Sequence, residues 1–309
     1  MKAVRIHAYG GPEVLMYEDA PRPTIADDEV LVQVHAAAIN PVDRATRAGY
    51  LQGMVDFSLP LALGLDLSGV VEAVGKNVTS VAVGDVVYGY SNMMRQGAYA
   101  EYAVVSATEI APKPTTVDHI SAAAVPLVGL TAWQALEAAG LQAGQTILIH
   151  GAGGGVGTFA VQFARQKGAR VLGTAASDKP DLLRDLGAAE AIDYTTTRFE
   201  DVVHDVDVVL ATVGGEVIDR SWSVLKPGGV LVTPAGQVDA DAAAARGVRG
   251  TGMMTQPNSA QLTEIARLID AGRVKPVVSA VIPLADARKA HELSDGGHAR
   301  GKIVLRVAD

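Results

Sequence analysis

The feature that most constrains this chain is the run Ile147-Leu148-Ile149-His150-Gly151-Ala152-Gly153-Gly154-Gly155-Val156-Gly157. A short apolar strand, Thr146 to His150, enters a glycine-rich turn. Beyond the turn, Val156, Phe159, Ala160, Phe163 and Ala164 recur at three- and four-residue intervals, the spacing of an amphipathic helix. Gly151, Gly154 and Gly157 stand three residues apart. Glycines let the backbone turn tightly and come close to phosphate oxygens, and the helix start offers free N–H groups at the positive end of its dipole. Ala152 stands where the commonest form of this loop has its first glycine, a one-methyl departure. Inside a β-α-β unit, the pattern points to the pyrophosphate of a dinucleotide.

That unit is present. A helix from about Thr131 to Ala139, stopped at Gly140, precedes the first strand. After the loop come a strand at Arg170–Thr174, a helix at Pro180–Leu186 stopped at Gly187, and a strand at Ala191–Ile192. Strands at Val206–Ala211 and Gly229–Thr233 continue the alternation, which predicts a doubly wound parallel sheet. The first 115 residues read differently. Val30–Ala37, Gly69–Val74 and Val86–Tyr90 are short β segments separated by glycine turns, with few helical patterns, and they predict a compact antiparallel barrel. The last fifty residues hold a helix at Leu262–Asp270 and a closing strand at Gly301–Leu305. The whole is an α/β chain of 309 residues, long enough for two cores.

Composition narrows the partners. The net charge is −8, without a Lys/Arg run, and only 5% of residues are aromatic. Neither nucleic acid nor an anionic membrane surface is favoured. No stretch nears the ~18 apolar residues of a membrane span, and the N-terminus meets Gly10-Gly11-Pro12 too early for a signal peptide, so a cytoplasmic location is expected. With no cysteine, disulfides, Cys-bound zinc and a Cys nucleophile are excluded.

The choice between NADH and NADPH turns on the end of the second strand, where an acidic residue would bind the ribose 2′-OH and repel a 2′-phosphate. Ala175, eighteen residues after Gly157, stands there. Ser177 and Lys179 can give a hydroxyl and a cation to a 2′-phosphate, while Asp178 would oppose one. An exposed turn capping the next helix is the other reading of these residues. On balance they favour NADPH.

Motifs with their order and spacing then extend almost end to end. They are Asn40-Pro41-Val42-Asp43 with Arg47 and Gly49, Gly64-Leu65-Asp66-Leu67-Ser68-Gly69, Gly84-Asp85-Val86-Val87, Gly97-Ala98-Tyr99-Ala100-Glu101-Tyr102, the glycine-rich loop, Leu225-Lys226-Pro227-Gly228-Gly229 and Gly301-Lys302-Ile303-Val304-Leu305. With them the chain resembles the zinc-independent, NADPH:quinone oxidoreductase-like branch of the medium-chain dehydrogenase/reductase superfamily. The resemblance implies a GroES-like β-barrel catalytic domain over residues 1–125, a Rossmann NADPH-binding domain over 126–257, and a return to the catalytic domain over 258–309, with substrate in an interdomain cleft. It also implies a homodimer joined through the sheet edge near Val248 to Met254.

Residue by residue, the resemblance places Thr131 and Gly236 near the nicotinamide. Gly154, Gly155 and Val156 fall at the pyrophosphate, and Ser177, Lys179 and Tyr194 at the 2′-phosphate. Asn40 and Tyr50 fall at the substrate, Asn40 as an amide donor to the reacting carbonyl and Tyr50 as a candidate proton source. Where zinc-dependent relatives have metal ligands, this chain has Asn40, Leu65 and Leu127, so no metal is expected. The implied reaction is reduction of a small quinone or α,β-unsaturated carbonyl. An enoyl-thioester reductase and a non-catalytic NADPH sensor are the alternatives.

Overall fold

The computed structural model describes residues 1–176, 180–297 and 300–308. The chain divides into two compact units. One comprises Met1–Leu127, Pro257–Gly272 and Pro276–Asp309, the other Val128–Gln256 with Arg273–Lys275.

In the second unit six parallel strands, numbered in chain order, lie 3-2-1-4-5-6. They are Thr146–His150, Arg170–Ala175, Glu190–Asp193, Val206–Ala211, Leu225–Thr233 and Arg249–Gly252. This is the doubly wound order whose ligands sit at the carboxyl ends of the strands. Ile147, Leu148 and Ile149 are all buried, as a central strand covered on both faces requires. In the helix Gly155–Gln166 the expected stripe is buried at Phe159, Ala160, Phe163 and Ala164, while Val156 in the first turn is only half-buried. The helix expected from Thr131 starts earlier, at Pro126, because proline is at home in a first turn, where its missing N–H has no partner to lose. The strand expected from Gly229 likewise starts earlier, at Leu225.

The first unit holds two sheets. In the larger, seven-stranded one, Glu29–Ala38 lies between Asp66–Val74 and the chain's closing strand Lys302–Arg306, both antiparallel to it. The smaller one orders Leu15–Asp19, Lys2–Ile6 and Leu61–Ala62. Val32, Val34, Leu67, Tyr99, Ile303 and Leu305 share one core. Pairing of residues near 305 with residues near 37 puts Lys302 beside Asn40, a neighbour that sequence distance hides.

The first unit also contains a helix, Pro41–Ala48, where strands and turns were expected. Its signals were short and local. Asn40 starts it, Pro41 takes the first helical position, Asp43 accepts a hydrogen bond from Asn40 N at 2.8 Å, and Gly49 ends it in the left-handed conformation. Among the described residues no helix is long and apolar enough to cross a membrane.

Candidate active site

The glycine loop divides by what a Cβ would meet at each position. Gly151 has φ +68°, and a Cβ there would lie 2.4 Å from Thr212 Oγ1. At Gly157 it would lie 2.3 Å from Gly151 O and 2.5 Å from Ala152 Cα, both backbone. The fold itself demands these two glycines. Gly154 is different. Its φ of −85° suits any residue, and a Cβ would have one neighbour within 4 Å, Gly151 O at 3.3 Å. Packing constrains Gly154 far less than Gly151 or Gly157: one backbone oxygen would have to give by a few tenths of an ångström.

Gly154 is the N-cap of the helix Gly155–Gln166, and no side chain caps it. The first-turn N–H groups of a helix have no intrahelical partner, and an anion satisfies them. Tyr194 and Gly236, two of the expected residues of this unit, follow strands of the same parallel sheet and so lie at its carboxyl edge. Tyr194 follows the third strand, 57% exposed, with its N–H given to Ala175 O at 3.2 Å. Gly236 follows the fifth, and Ile218 Cδ1, the end of a movable side chain, is the one group near its would-be Cβ. Thr131 is buried, its hydroxyl 2.7 Å from that of Thr255, which follows the sixth strand. Ser177 and Lys179 lie outside the described residues.

In the first unit Asn40 and Tyr50 stand at opposite ends of the helix Pro41–Ala48. Tyr50 is 78% exposed and lines a pocket of about 300 Å³ with Pro41, Arg44, Arg47 and Asp295.

Asn40 is fully buried, and its amide is already engaged. Nδ2 donates to Asp66 Oδ2 at 2.9 Å and, at 3.4 Å, to Ala38 O, while Oδ1 accepts from Lys302 Nζ at 2.5 Å. Lys302 also donates to Ile39 O at 2.7 Å and to Asp66 Oδ2 at 3.2 Å. Leu127, from the expected metal position, gives its N–H to Asp66 Oδ1 at 2.7 Å, and Leu65 is buried. The amide cast as a substrate donor is thus the hub of a buried polar cluster. The reason is Lys302, a cation brought in by the closing strand. Burial pushes the Asp66 carboxyl upward while Lys302, Asn40 and the Leu127 N–H pull it back.

Nearby Asp43 accepts from Asn40 N and from Tyr99 Oη at 2.9 Å, and burial raises it to about 7. Three histidines move the other way, chiefly through burial: His119 and His150 to about 4, His291 to about 3. Each histidine binds its proton more readily in the unfolded chain. Its contribution is therefore complete above about pH 6.5 and is lost as pH falls toward 4. Asp43 has the opposite sign, because a raised carboxyl favours the folded state as pH falls below 7. The three histidines outweigh the two raised carboxyls, Asp43 and Asp66, so the melting temperature should fall between pH 7.5 and pH 5. Calorimetry at the two pH values checks this; a Tm unchanged or higher at pH 5 would contradict the buried neutral histidines.

Known proteins agree with this architecture. An alcohol dehydrogenase GroES-like domain model matches residues 26–115, and a zinc-binding dehydrogenase model matches residues 186–305. The chain is 36% identical to the NADPH-dependent alkenal/one oxidoreductase, chloroplastic, of Arabidopsis thaliana, over 99% of this chain and 79% of that one. The quinone oxidoreductase of Coxiella burnetii superposes with a TM-score of 0.93 at 35% identity, covering 99% of each chain. Escherichia coli quinone oxidoreductase complexed with NADPH gives 0.90 at 28% identity, covering 99% of this chain and 100% of that one. The protein is an oxidoreductase of the α/β, GroES-like plus Rossmann architecture, and it belongs to the medium-chain dehydrogenase/reductase superfamily, in the quinone oxidoreductase-like branch.

Proposed function

We propose that this protein is an NADPH-dependent reductase of quinones or α,β-unsaturated carbonyl compounds that works without a metal ion. The observation that carries the reading is Gly154, a glycine in a backbone conformation open to any residue, set at an uncapped helix start where the strands end. When bound, NADPH supplies the hydride, and a conjugated acceptor is electron-poor enough to take it at carbon without Lewis-acid help.

The chain's own part is holding and placing. The amides of Gly154, Gly155 and Val156 would take the pyrophosphate, and the helix dipole adds to their attraction for it. Gly151 and Gly157 fix the loop's shape. Thr131 and Gly236 would border the nicotinamide end, with Tyr194, Ser177 and Lys179 at the adenosine end. The cluster of Asn40, Asp66 and Lys302 is assigned to holding the catalytic unit's backbone in place, and the proton that completes reduction is assigned to water.

The donor set also speaks against zinc. A zinc site needs several thiolate, imidazole or carboxylate ligands, whereas Asn40, Leu65 and Leu127 offer one amide and two aliphatic groups. The Lys302 ammonium already lies among the remaining oxygens, and like charges repel strongly at such distances. A cytoplasmic location and a homodimer are part of the proposal; Arg249–Gly252 is an outer strand of its sheet, available for edge pairing.

The test is NADPH consumption against a panel of quinones, enals, enones and enoyl thioesters, with and without chelator. Turnover with a quinone or an enone that survives chelation is expected. Activity confined to enoyl thioesters, or lost to the chelator, would overturn the reading.

A further inference from the structure

The strand that enters the glycine loop ends in His150, whose side chain cofactor binding leaves unused. It is 2% exposed, in a strand whose neighbours are isoleucine and leucine. Burying an imidazole costs free energy unless its nitrogens are bonded, and both are. Nδ1 lies 3.1 Å from Thr174 Oγ1 and Nε2 lies 3.1 Å from Ser221 Oγ, while the ring edge packs on Phe199 at 4.5 Å.

The network fixes the tautomer. Ser221 has one hydroxyl hydrogen and gives it to Val217 O at 2.5 Å. Nε2 must therefore carry a hydrogen and donate to Ser221, which leaves Nδ1 to accept from Thr174.

Thr174 answers with its backbone. Its carbonyl accepts from Ala152 N at 3.0 Å, in the middle of the glycine loop. A closed ring results: from His150 through Gly151 to Ala152, across to Thr174, and back to the imidazole. On the other side Thr212 Oγ1 donates to His150 O at 2.7 Å, so the residue before the first glycine is gripped by side chain and backbone alike. One strand is thereby tied by two bonds to the next, at the point where the first receives pyrophosphate. The second strand ends one residue beyond Thr174, at Ala175. In sheets of this order, that end receives the adenosine ribose.

Resting on the cofactor reading above, we propose that His150 and Thr174 form a clasp that sets the span between the pyrophosphate loop and the ribose-binding strand end. The clasp makes His150 a positioning residue for NADPH over NADH. The two nucleotides share the pyrophosphate and differ only at the ribose 2′ position. A loop free to shift against the second strand can still hold NADH by its pyrophosphate. It no longer presents the 2′-phosphate where that strand end meets it.

Two substitutions separate the clasp from the other bond. His150→Asn places an amide oxygen close to the Nδ1 position and keeps an acceptor for Thr174. His150→Gln places an amide nitrogen close to the Nε2 position and keeps only the donor to Ser221. Thr174→Val removes the clasp from its other side at nearly constant volume. Fluorescence titration of each variant with NADPH and NADH, beside its melting temperature, gives the readout. Thr174→Val and His150→Gln should weaken NADPH by about 3- to 10-fold, the worth of one neutral hydrogen bond, with NADH shifted less than about 2-fold. His150→Asn should bind NADPH like the wild type. Parallel loss of both nucleotides, or rescue by Gln rather than Asn, overturns the clasp alone. A wild-type protein that binds neither nucleotide overturns the cofactor reading and the clasp with it.

Discussion

Replacing Lys302 by methionine should destabilise the catalytic unit by about 3–5 kcal/mol, the usual cost of stranding one partner of a buried ion pair. Lys302 is 3% exposed and Asp66 is fully buried. The three ammonium hydrogens go to Ile39 O, Asn40 Oδ1 and Asp66 Oδ2, so the methionine variant unpairs three acceptors at once. Protonation offers the stranded carboxyl an escape, which burial already favours at Asp66, and this sets the upper end of the loss. Adding Asp66→Asn should recover part of it, because a neutral amide no longer needs a counter-ion. The two changes together should then cost less than their separate costs added. Denaturant unfolding of the two single variants and the double variant measures the coupling. If Lys302→Met unfolds within about 1 kcal/mol of the wild type, the cluster is not an anchor of this unit.

The same cluster shows why part of the site was legible in sequence and part was not. A glycine loop is local: strand, turn and helix follow one another within about twenty residues, and each leaves its mark on residue spacing. Gly151, Gly154 and Gly157 could thus be picked out before any coordinates. Which of them serves the fold and which the ligand could not be read, since that depends on Thr212 and Ala152 in space.

Asn40 presents the reverse case. Its position was recognisable, but its chemistry is set by Asp66, 26 residues away, and by Lys302, 262 residues away. A side chain read as a free amide donor turned out to be fully bonded. Tyr50 lies only ten positions from Asn40 in sequence, and the helix Pro41–Ala48 stands between them. That helix is announced by Asn40, Pro41, Asp43 and Gly49, which carry cap signals as well as the family motif. His150 belongs with these. It stands in an apolar strand, where a polar side chain has to find partners.

The loop glycines give the sharpest separation of fold from ligand, in two parallel substitutions. Gly154→Ala should cost at most about 1 kcal/mol, or about 4 °C in melting temperature, because one tight contact that a few tenths of an ångström relieve is a small perturbation. Its backbone is extended, and its Cβ meets one atom at 3.3 Å. NADPH binding should nevertheless fall by about 100-fold. The added methyl group stands where a phosphate oxygen has to approach, and moving the pyrophosphate away loses two charge-assisted hydrogen bonds worth about 1.5 kcal/mol each. Gly157→Ala should behave in the opposite order. Its Cβ would press on Gly151 O at 2.3 Å and Ala152 Cα at 2.5 Å, and backbone atoms cannot step aside as a side-chain tip can. The start of the helix has to move, so stability falls first, by about 2–3 kcal/mol as in other overpacked interiors, and affinity falls with it. Titration with NADPH and a thermal melt of each variant distinguish the two cases. A Gly154→Ala protein that binds NADPH as tightly as the wild type would falsify the placement of the pyrophosphate at this helix start, whatever Gly157→Ala does.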